Sequence, residues 1–195
     1  SPQDKLLVAV SGGKDSTAVL YVLKKLGYDV EAVTVDVMIG EYSKKNLENV
    51  KEFCCQNNIN LHVVSFKDFF GSGLKNIVSL IKSNGWNLMS CNVCGVLRRY
   101  LINLYCRKLN ADKVVTGHNL DDEAQAFMMN LLKNKQEMNA RLGPFPGIIR
   151  DSKFVPRVKP LYLVSEADVE KYSKIIGFPV KYGRCPLAVD AYRNY

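Results

Sequence analysis

The feature that most constrains the fold is a strand, a glycine turn and a helix in immediate succession near the start of the chain. Residues 5–10 (KLLVAV) form a short apolar run that stops at a Ser-Gly-Gly turn. Residues 15–26 then repeat apolar side chains at helical spacing, and Gly27 ends the repeat. A buried strand that leads through a tight turn into a helix is the first half of a crossover unit, and such units build parallel sheets.

The remaining chain repeats this alternation. Segments rich in β-branched residues, typical of buried strands, occupy residues 30–37, 61–65 and 113–116. Helical spacing occupies residues 43–57, 66–84, 94–109 and 121–132, and the helix at 66–84 is weakened by two glycines. A last helix is predicted to be capped by Ser165, to run to Ile176 and to be ended by Gly177-Phe178-Pro179. We therefore expect an α/β fold: a Rossmann-like parallel sheet of about five strands with helices on both faces, plus a small helical C-terminal extension.

Composition limits the class of protein. The chain has 195 residues, of which 47% are hydrophobic and 24% charged, as in an ordinary globular domain. This excludes a disordered, collagen-like or disulfide-dense chain. No apolar run reaches the roughly 18 residues that a membrane-spanning helix needs, and no secretory leader is recognisable. We therefore expect a cytoplasmic protein with no membrane partner.

Positive charge is concentrated toward the end of the chain. Residues 1–132 carry 15 basic and 13 acidic side chains, whereas residues 133–195 carry 12 and 6. Glycine and proline punctuate residues 134–160, which predicts a long basic loop. The basic residues of that loop are Lys135, Arg141, Arg150, Lys153, Arg157 and Lys159. A basic surplus in one segment indicates a polyanionic partner, with nucleic acid the first candidate, and a solvated lysine-rich surface is the alternative.

The turn after the first strand, residues 11–16, has the sequence Ser-Gly-Gly-Lys-Asp-Ser and the chemistry of a phosphate-binding loop. Its two glycines let the backbone approach a ligand closely, and the free amides at the start of the following helix attract anions. The glycine spacing is that of neither the Walker loop nor the dinucleotide-binding fingerprint. The alternative interpretation is a glycine turn with nothing bound.

Cysteines form a second candidate site. Cys91 and Cys94 are spaced C-x-x-C beside a predicted helix start, where the helix end and nearby arginines are expected to lower the thiol pKa values. Such a pair can chelate a metal, form a redox disulfide or do neither. Cys185 is the other isolated thiol in a predicted loop, and three thiols suit an iron–sulfur cluster with one iron lacking a protein ligand. The remaining cysteines lie in predicted helices and are expected to be small buried side chains: Cys54, Cys55 and Cys106.

A third motif, TGHNLDDEAQ, follows the strand at residues 113–116 and begins a helix. It is therefore expected at the same edge of the sheet as residues 11–16. Its carboxylates can hold Mg²⁺ or orient a substrate base, and the alternative is helix capping by Asn119 or Asp121. His118 receives no catalytic role.

Taken in order, these motifs resemble a known family. SGGKDS resembles the PP-loop of the ATP pyrophosphatase superfamily, whose members adenylate a substrate oxygen and release pyrophosphate. The series SGGKDS, CxxCGxxRR, TGHNLDDEAQ, Lys159-Pro160-Leu161 and Cys185-Pro186 spans almost the whole chain. It resembles the TtcA/TtuA-type tRNA 2-thiolation enzymes and is most similar to the archaeal-type TtuA/NcsA branch. We therefore expect a tRNA sulfurtransferase that adenylates the C2 carbonyl of a uridine and then transfers sulfur to it.

The resemblance also implies cofactors and site residues. It implies a 4Fe–4S cluster on Cys91, Cys94 and Cys185, with Asp122 as the essential aspartate. Arg98 stands where the family often has lysine, and it keeps the charge but transfers no proton at neutral pH. An ATP·Mg²⁺ site is implied, with Asp15 and Ser16 at the phosphate–Mg²⁺ end. The ATP-binding residues that it implies are Ala9, Val10, Ser11, Gly12, Gly13, Lys14, Asp15, Ser16, Val35, Arg98, Gly117 and Asp122.

The same resemblance divides the chain and suggests partners. Residues 1–134 are expected to form the PP-loop ATP-binding domain, and residues 135–195 the basic loop and helical segment that binds tRNA and completes the cluster. The sulfur source is expected to be sulfide or a thiocarboxylated ubiquitin-like carrier protein, and a homodimer is implied. Family members carry zinc-binding modules at both ends, so the chain is expected to be a catalytic core without them.

Two other classes of function remain open at this point. A second class of enzyme keeps the PP-loop and changes the acceptor, as in lysidine formation, amidation or sulfate-nucleotide reduction. A non-catalytic ATP-binding or iron–sulfur module is the other alternative.

Overall fold

The computed structural model describes residues 3–146, 151, 153–180 and 185–187. Five parallel strands form one sheet in the order β3-β2-β1-β4-β5. The strands are β1 (Lys5–Ala9), β2 (Asp29–Asp36), β3 (Leu61–Ser65), β4 (Lys113–Val115) and β5 (Arg157–Val158). The helices are α1 (Lys14–Lys25), α2 (Gly40–Gln56), α3 (Phe66–Phe70), α4 (Leu74–Ser83), α5 (Ser90–Lys108), α6 (Leu120–Leu132) and α7 (Glu166–Ile176), with a 3₁₀ turn at Gln136–Arg141. The predicted fold class is confirmed.

Alternation along the central strand β1 produces two cores, one on each face of the sheet. Leu6 and Val8 pack with residues of α1, α2 and α7 on one face. Leu7 packs on the other face with residues of α4 and α5. Both faces are covered, which explains why the strands read as continuous apolar runs.

The strand order fixes where a ligand site can form. From β1, the chain adds β2 and β3 on one side and β4 and β5 on the other. The order therefore reverses beside β1, and ligands of open parallel sheets bind at the carboxyl ends of the strands at such a point. Residues 11–16 follow β1 and residues 116–119 follow β4, so both loops lie at this edge.

Several boundaries differ from the sequence expectation. The segment expected to be a loop contains β5, which pairs with β4 in the register Val114↔Arg157. A strand of two residues is too short to give a periodic pattern. Helix α5 begins at Ser90 rather than at residue 94, so the C-x-x-C pair lies inside the helix. The predicted weak point in the segment 66–84 is confirmed, because Gly71 adopts a φ of +73° and ends α3.

The end of the chain adds to the same core. Ser165 caps α7 and Gly177 ends it, as predicted. Val169 of α7 and the following Phe178 are buried with residues of α1. Within the described ranges, none of the helices combines the length and the apolar character that a bilayer crossing demands.

Candidate functional site

The loop between β1 and α1 is held in shape by its own residues. Gly12 has a φ of +83°, and a Cβ atom there would lie 2.8 Å from the carbonyl oxygen of Asn46 in α2, so glycine is required. Oγ of Ser16 accepts from the backbone N–H of Ser11 at 3.2 Å and donates to the carbonyl of Gly13 at 3.1 Å. Gly13 is the N-cap of α1 and supplies no side-chain cap to its first amides. This is the arrangement in which a helix start binds an anion.

The loop after β4 packs directly on the first turn of α1. A Cβ atom at Gly117 would lie 2.7 Å from the backbone nitrogen of Ser16, so the two backbones meet at this glycine. Close by, Asn119 is 2% exposed and donates from Nδ2 to Oδ1 of Asp15 at 3.0 Å. These contacts fix the third motif against the first, at the edge where the sequence predicted both.

The acidic residues of the third motif have two kinds of role: some cap helices, and one also lines the candidate site. Asn119 and Asp122 form a capping box at the start of α6, in which each side chain accepts from the other's backbone N–H, at 2.9 and 3.4 Å. Asp121 accepts from the backbone N–H of Glu166 at 2.6 Å and so caps α7. Asp122 also lines the cavity described next, whereas Asp121 has a structural role.

A cavity of about 430 Å³ opens between α5 and the carboxyl ends of the strands. Its volume is in the range of small-molecule sites. The expected ATP-binding residues that line it are Ala9, Val10, Ser11, Gly13, Asp15, Ser16, Val35, Arg98, Gly117 and Asp122. Gly12 and Lys14 do not line the cavity, because Gly12 packs against α2 and Lys14 is engaged elsewhere.

Lys14 is held by carboxylates rather than presented to the cavity. Its Nζ donates to Oε1 of Glu166 at 2.8 Å and to Oδ2 of Asp15 at 3.1 Å. Burial acts to lower the pKa of Lys14, but the hydrogen bond with Glu166 and the charge of Asp15 outweigh it and the net pKa is raised. The ammonium is therefore charged at neutral pH and ties the PP-loop motif to the first turn of α7.

Arg98 crosses the cavity toward β2. Its Nη2 donates to the carbonyl oxygen of Val35 at 3.5 Å, while its Nε is buried and has no hydrogen-bond partner in the described part of the chain. A buried donor without a partner costs free energy, so this N–H marks a place where a ligand acceptor fits. Asp36, the next residue of β2, accepts from the backbone N–H of Met38 at 2.8 Å and closes a turn.

His118 lines the same cavity, with Nδ1 3.0 Å from Oγ1 of Thr116. Burial lowers the pKa of His118; Asp122 opposes the shift, and the positive charges of Lys159 and Arg157 add to it. The imidazole is therefore neutral at pH 7.

Of the three thiols singled out by the sequence, Cys94 lies near each of the other two. Cys91 and Cys94 are in the first turns of α5, and Cys94 is within electrostatic range of both Cys91 and Cys185. Cys94 and Cys185 also pack against the same apolar core. Burial raises the pKa of the Cys94 thiol, and this outweighs the lowering effect of Arg98. The expectation of a lowered pKa is therefore wrong for Cys94, because desolvation outweighs the arginine.

Three cysteine thiols suit some metal centres better than others. Within the described residues, no three His, Cys, Asp or Glu side chains converge closely enough to hold a single metal ion. A 4Fe–4S cluster binds each thiolate through a different iron, so its ligands surround a cube instead of one point. Thiolates are the ligands that iron–sulfur clusters prefer. Cys94, with Cys91 and Cys185 each in electrostatic range of it, is a donor set of the type that such a cluster uses.

The other cysteines follow helix geometry. Cys54 and Cys106 are buried, as predicted, and burial raises the pKa of Cys54 to about 11 and that of Cys106 to about 12. Cys55 is exposed, so the prediction is wrong there. Adjacent residues of a helix point about 100° apart, so burial of Cys54 turns Cys55 toward solvent.

The basic residues of the last segment are in different environments. Lys135, Arg141 and Lys153 are exposed, and Arg150 lies outside the described residues. Lys159 is 7% exposed and donates to Oε1 of Glu123 at 2.5 Å, so its charge is used inside the fold.

The fifth described residue of the basic set, Arg157, lines the cavity together with Arg99 of α5. Sequence reasoning assigned Arg99 no role beyond a positive charge near the thiols, assigned Glu166 none, and predicted Arg157 in a basic tRNA-binding loop. The short strand β5, which carries Arg157 into the site, gave no periodic signal. For Arg99, the signal in the sequence was its position directly after Arg98.

The sheet is parallel, and a glycine loop at its switch point leads into an uncapped helix start. Residues of this loop and of the loop after β4 line one cavity. These features define a phosphate-binding α/β protein. The chain matches the family model described as the PP-loop domain over residues 1–179, and it belongs to that family.

Curated relatives resemble nearly the whole chain. A tRNA-5-methyluridine(54) 2-sulfurtransferase of Pyrococcus horikoshii is 37% identical over 96% of this chain and 58% of its own length. The tRNA 2-thiolation protein NcsA of Haloferax volcanii is 32% identical over 96% of this chain and 61% of its own length. The chain therefore spans about three fifths of the length of these relatives.

Solved structures agree with the fold. The U34-tRNA thiolase NcsA from Methanococcus maripaludis, solved with its [4Fe-4S] cluster, superposes with a TM-score of 0.83 and 31% identity, covering 98% of this chain and 62% of that one. An NMN synthetase from Francisella tularensis gives a TM-score of 0.62 at 15% identity, covering 91% of this chain and 63% of that one, a likeness of fold alone.

Proposed function

We propose that this protein is an ATP-dependent tRNA 2-thiolation enzyme, which replaces the C2 carbonyl oxygen of a uridine with sulfur. The observation that carries the proposal is that Cys94 of α5 lies within electrostatic range of Cys91 on the same helix and of Cys185 from a distant segment. Gly95, the residue after Cys94, lines a nucleotide-sized cavity. A purely nucleotide-binding module has no need of such a set. Relatives named as tRNA thiolation proteins support the same conclusion.

The first step is binding of ATP·Mg²⁺ at the carboxyl edge of the sheet. The uncapped amides of α1 receive the phosphates. The carboxylates of Asp15 and Asp122 line the same cavity, and they are the oxygen ligands for the Mg²⁺ that accompanies the phosphates. Val35 at the end of β2 borders the adenine. Arg98 lies between these regions, with its Nε free to donate to the nucleotide.

The second step is adenylation. The uridine C2 oxygen attacks the α-phosphorus of ATP, the bond to the β-phosphate breaks, and pyrophosphate leaves. Helix amides and the Arg98 guanidinium stabilise the negative charge that develops, which is usually the largest catalytic term. A hydrosulfide sulfur then attacks C2 and AMP departs with the original oxygen, leaving the thiocarbonyl after loss of the proton.

The thiols hold the cofactor of the sulfur-transfer step. Cys91, Cys94 and Cys185 would bind a 4Fe–4S cluster, which supplies an iron without a protein ligand where sulfur can be held. The raised pKa of Cys94 means that loading releases a proton from this thiol, so loading is favoured at higher pH.

The acceptor is a tRNA, which the exposed basic residues attract through its phosphates. Lys135, Arg141 and Lys153 form the proposed surface, and Lys159 is left out because it is buried. Arg150 lies outside the described residues and stays a predicted tRNA contact. The names of relatives refer to two different uridines, at positions 54 and 34. Sulfide and a thiocarboxylated carrier protein remain the two proposed sulfur sources, and comparing turnover with each decides between them.

Two further parts of the proposal concern the location of the protein in the cell and its oligomeric state. Relatives named as cytoplasmic tRNA 2-thiolation proteins support action in the cytoplasm, and cell fractionation tests this. The exposed apolar residues of α6 support a homodimer, which analytical ultracentrifugation distinguishes from a monomer. They are Leu120, Phe127, Met128, Leu131 and Leu132.

The cysteine set provides the direct test. Substituting serine at Cys91, Cys94 or Cys185 is expected to abolish 2-thiouridine formation and remove most bound iron, while ATP binding is retained. Iron and acid-labile sulfide are measured after anaerobic purification, and nucleosides of treated tRNA are analysed by mass spectrometry. Cys55→Ser is the matched control, because Cys55 is exposed and lies on α2. Full thiolation by any one of the three variants would refute the proposal.

A further inference from the structure

The cavity contains a second set of positive charge, separate from the PP-loop. Arg99 and Arg157 both line it, and Arg99 is close enough to affect the titration of Arg157. Burial lowers the pKa of Arg157, and the positive charge of Arg99 lowers it further. Two guanidinium groups thus face one space, and one of them has lost much of its solvation.

The described residues provide no carboxylate within ion-pair distance of either guanidinium. The two acidic residues that line the cavity are engaged elsewhere: Asp15 accepts from Lys14 and Asn119, and Asp122 belongs to the capping box. A desolvated pair of like charges is costly unless an anion joins it.

The pair is held in place by hydrogen bonds between α5 and the approach to β5. Asn103 lies one turn after Arg99; it donates from Nδ2 to the carbonyl of Lys153 at 2.8 Å and accepts at Oδ1 from the backbone N–H of Val155 at 2.9 Å. Two residues later, Arg157 pairs in register with Val114, whose side chain belongs to the core beneath α5. In-register neighbours share a face of the sheet, so Arg157 points toward α5.

Position along the sheet separates this pair from the expected nucleotide site. Arg98 reaches the carbonyl of Val35 on β2, whereas the next residue of α5, Arg99, is near β5. The strand order β2-β1-β4-β5 puts three strand spacings, about 14 Å, between these ends. In the proposed function the phosphates lie over β1 and the adenine lies at β2. The β5 end of the cavity therefore remains for the RNA substrate.

We propose that Arg99 and Arg157 form a second anion site, which binds a backbone phosphate of the RNA substrate beside the target nucleotide. The inference rests on the proposed function. Guanidinium pairs bind phosphate through several directed N–H donors. A contact to the backbone fixes the register of a nucleic acid without reading its sequence, so this pair positions the uridine and takes no part in the chemistry.

The test compares RNA binding and nucleotide binding in matched variants. Arg157→Gln and Arg99→Gln are each expected to weaken binding of an unmodified tRNA transcript about tenfold, and to reduce the slope of log affinity against log salt by about 1. Both measurements are made by fluorescence anisotropy in the presence of a non-hydrolysable ATP analogue. Because both side chains serve one phosphate, the double variant loses less than the sum of the two single losses. Affinity for the ATP analogue alone stays unchanged.

Arg107→Gln is the control, because Arg107 is exposed on the same helix eight residues after Arg99 and is outside this cavity. Thermal melting checks the fold, and Arg99→Gln gives an independent reading if Arg157→Gln disturbs β5. Unchanged tRNA affinity in folded variants would overturn this inference and leave the proposed function standing. If the variants bind the ATP analogue more weakly when no RNA is present, the arginine pair belongs to the nucleotide site, and the inference is overturned. A wild-type protein that binds the analogue but no tRNA would overturn the proposed function as well.

Discussion

Gly117 illustrates how a missing side chain sets the geometry of a site. Its backbone lies so close to the first turn of α1 that a Cβ atom would be 2.7 Å from the nitrogen of Ser16 and 2.8 Å from the carbonyl carbon of Asp15. Backbone atoms cannot move aside as a flexible side chain does. The glycine therefore permits the close approach of the β4 loop to the phosphate-binding loop, whatever contact it makes with a nucleotide.

Gly117→Ala is expected to destabilise the protein by about 1–3 kcal/mol, because the added methyl group forces the two loops apart. Affinity for an ATP analogue should fall in parallel. Chemical denaturation and isothermal titration calorimetry measure the two effects. Gly95→Ala is the matched control: its Cβ atom would lie 3.7 Å from a guanidinium nitrogen of Arg99, inside a helix where alanine is favoured. An equal loss of stability in both variants would contradict this explanation.

At the scale of elements, the start of α6 does two things at once. Asn119 caps the helix with its side-chain oxygen and holds Asp15 with its side-chain nitrogen. An aspartate at this position keeps the cap, since Asp and Asn are comparable N-cap residues. It replaces the donor to Asp15 with a second negative charge.

Asn119→Asp is therefore expected to weaken ATP binding in the absence of Mg²⁺ more than in its presence, because the added carboxylate repels the phosphates and Mg²⁺ offsets this charge. Asn119→Ala removes both functions and should cost about 1–2 kcal/mol in stability as well. Calorimetric titration with and without Mg²⁺, together with urea denaturation, separates the two roles. Equal behaviour of both variants in both assays would argue against a divided role.

Element types were predictable from the sequence wherever an apolar repeat was long enough. β3 at Leu61–Ser65 was predicted with its observed limits, and α7 with its cap and its terminating glycine. The start of α5 was missed because its first turn, Ser-Cys-Asn-Val, has only one buried apolar residue, Val93. β5 was missed because parallel pairing with β4, rather than its own composition, makes two residues a strand.

At the scale of the whole molecule, charged side chains join three strands on the part of the sheet that lies away from the cavity. Glu31 of β2 accepts from Lys5 of β1 at 2.7 Å and is 2.5 Å from Nε2 of His62 on β3. Burial acts to raise the pKa of Glu31, but its partners outweigh burial and the net pKa is lowered. Three strands are thus joined at the edge away from the cavity.

A lowered pKa in the folded state makes stability depend on pH. Ionised Glu31 contributes stability above its ordinary value of 4.5, and this contribution is lost as pH falls through the lower folded value. Glu31→Gln should therefore flatten the acid limb of the stability curve, measured by urea denaturation between pH 3 and pH 7, roughly the range over which carboxyl groups titrate. An unchanged acid limb would contradict a role for this carboxylate. Asp68→Gln is a suitable control on α3.

Contacts between distant segments explain what the sequence could not predict. The loop motif, the C-x-x-C pair and TGHNLDDEAQ are local patterns, and their shared edge follows from strand order. The ion pairs of Lys14 with Glu166 and of Lys159 with Glu123 depend on how α7 and β5 return to the sheet. Residues that look alike in a basic segment are therefore divided by the fold among surface, cavity and core.

Helix α5 carries the C-x-x-C thiols at its beginning, two guanidinium groups one turn further on, and the fully buried Leu101 and Cys106 toward its end. Val93, between the two thiols of the motif, is buried as well, so the helix is anchored near its beginning and again further along. One rigid helix therefore fixes the distance between the thiols and the arginines, and the two groups keep their relative positions without support from a loop.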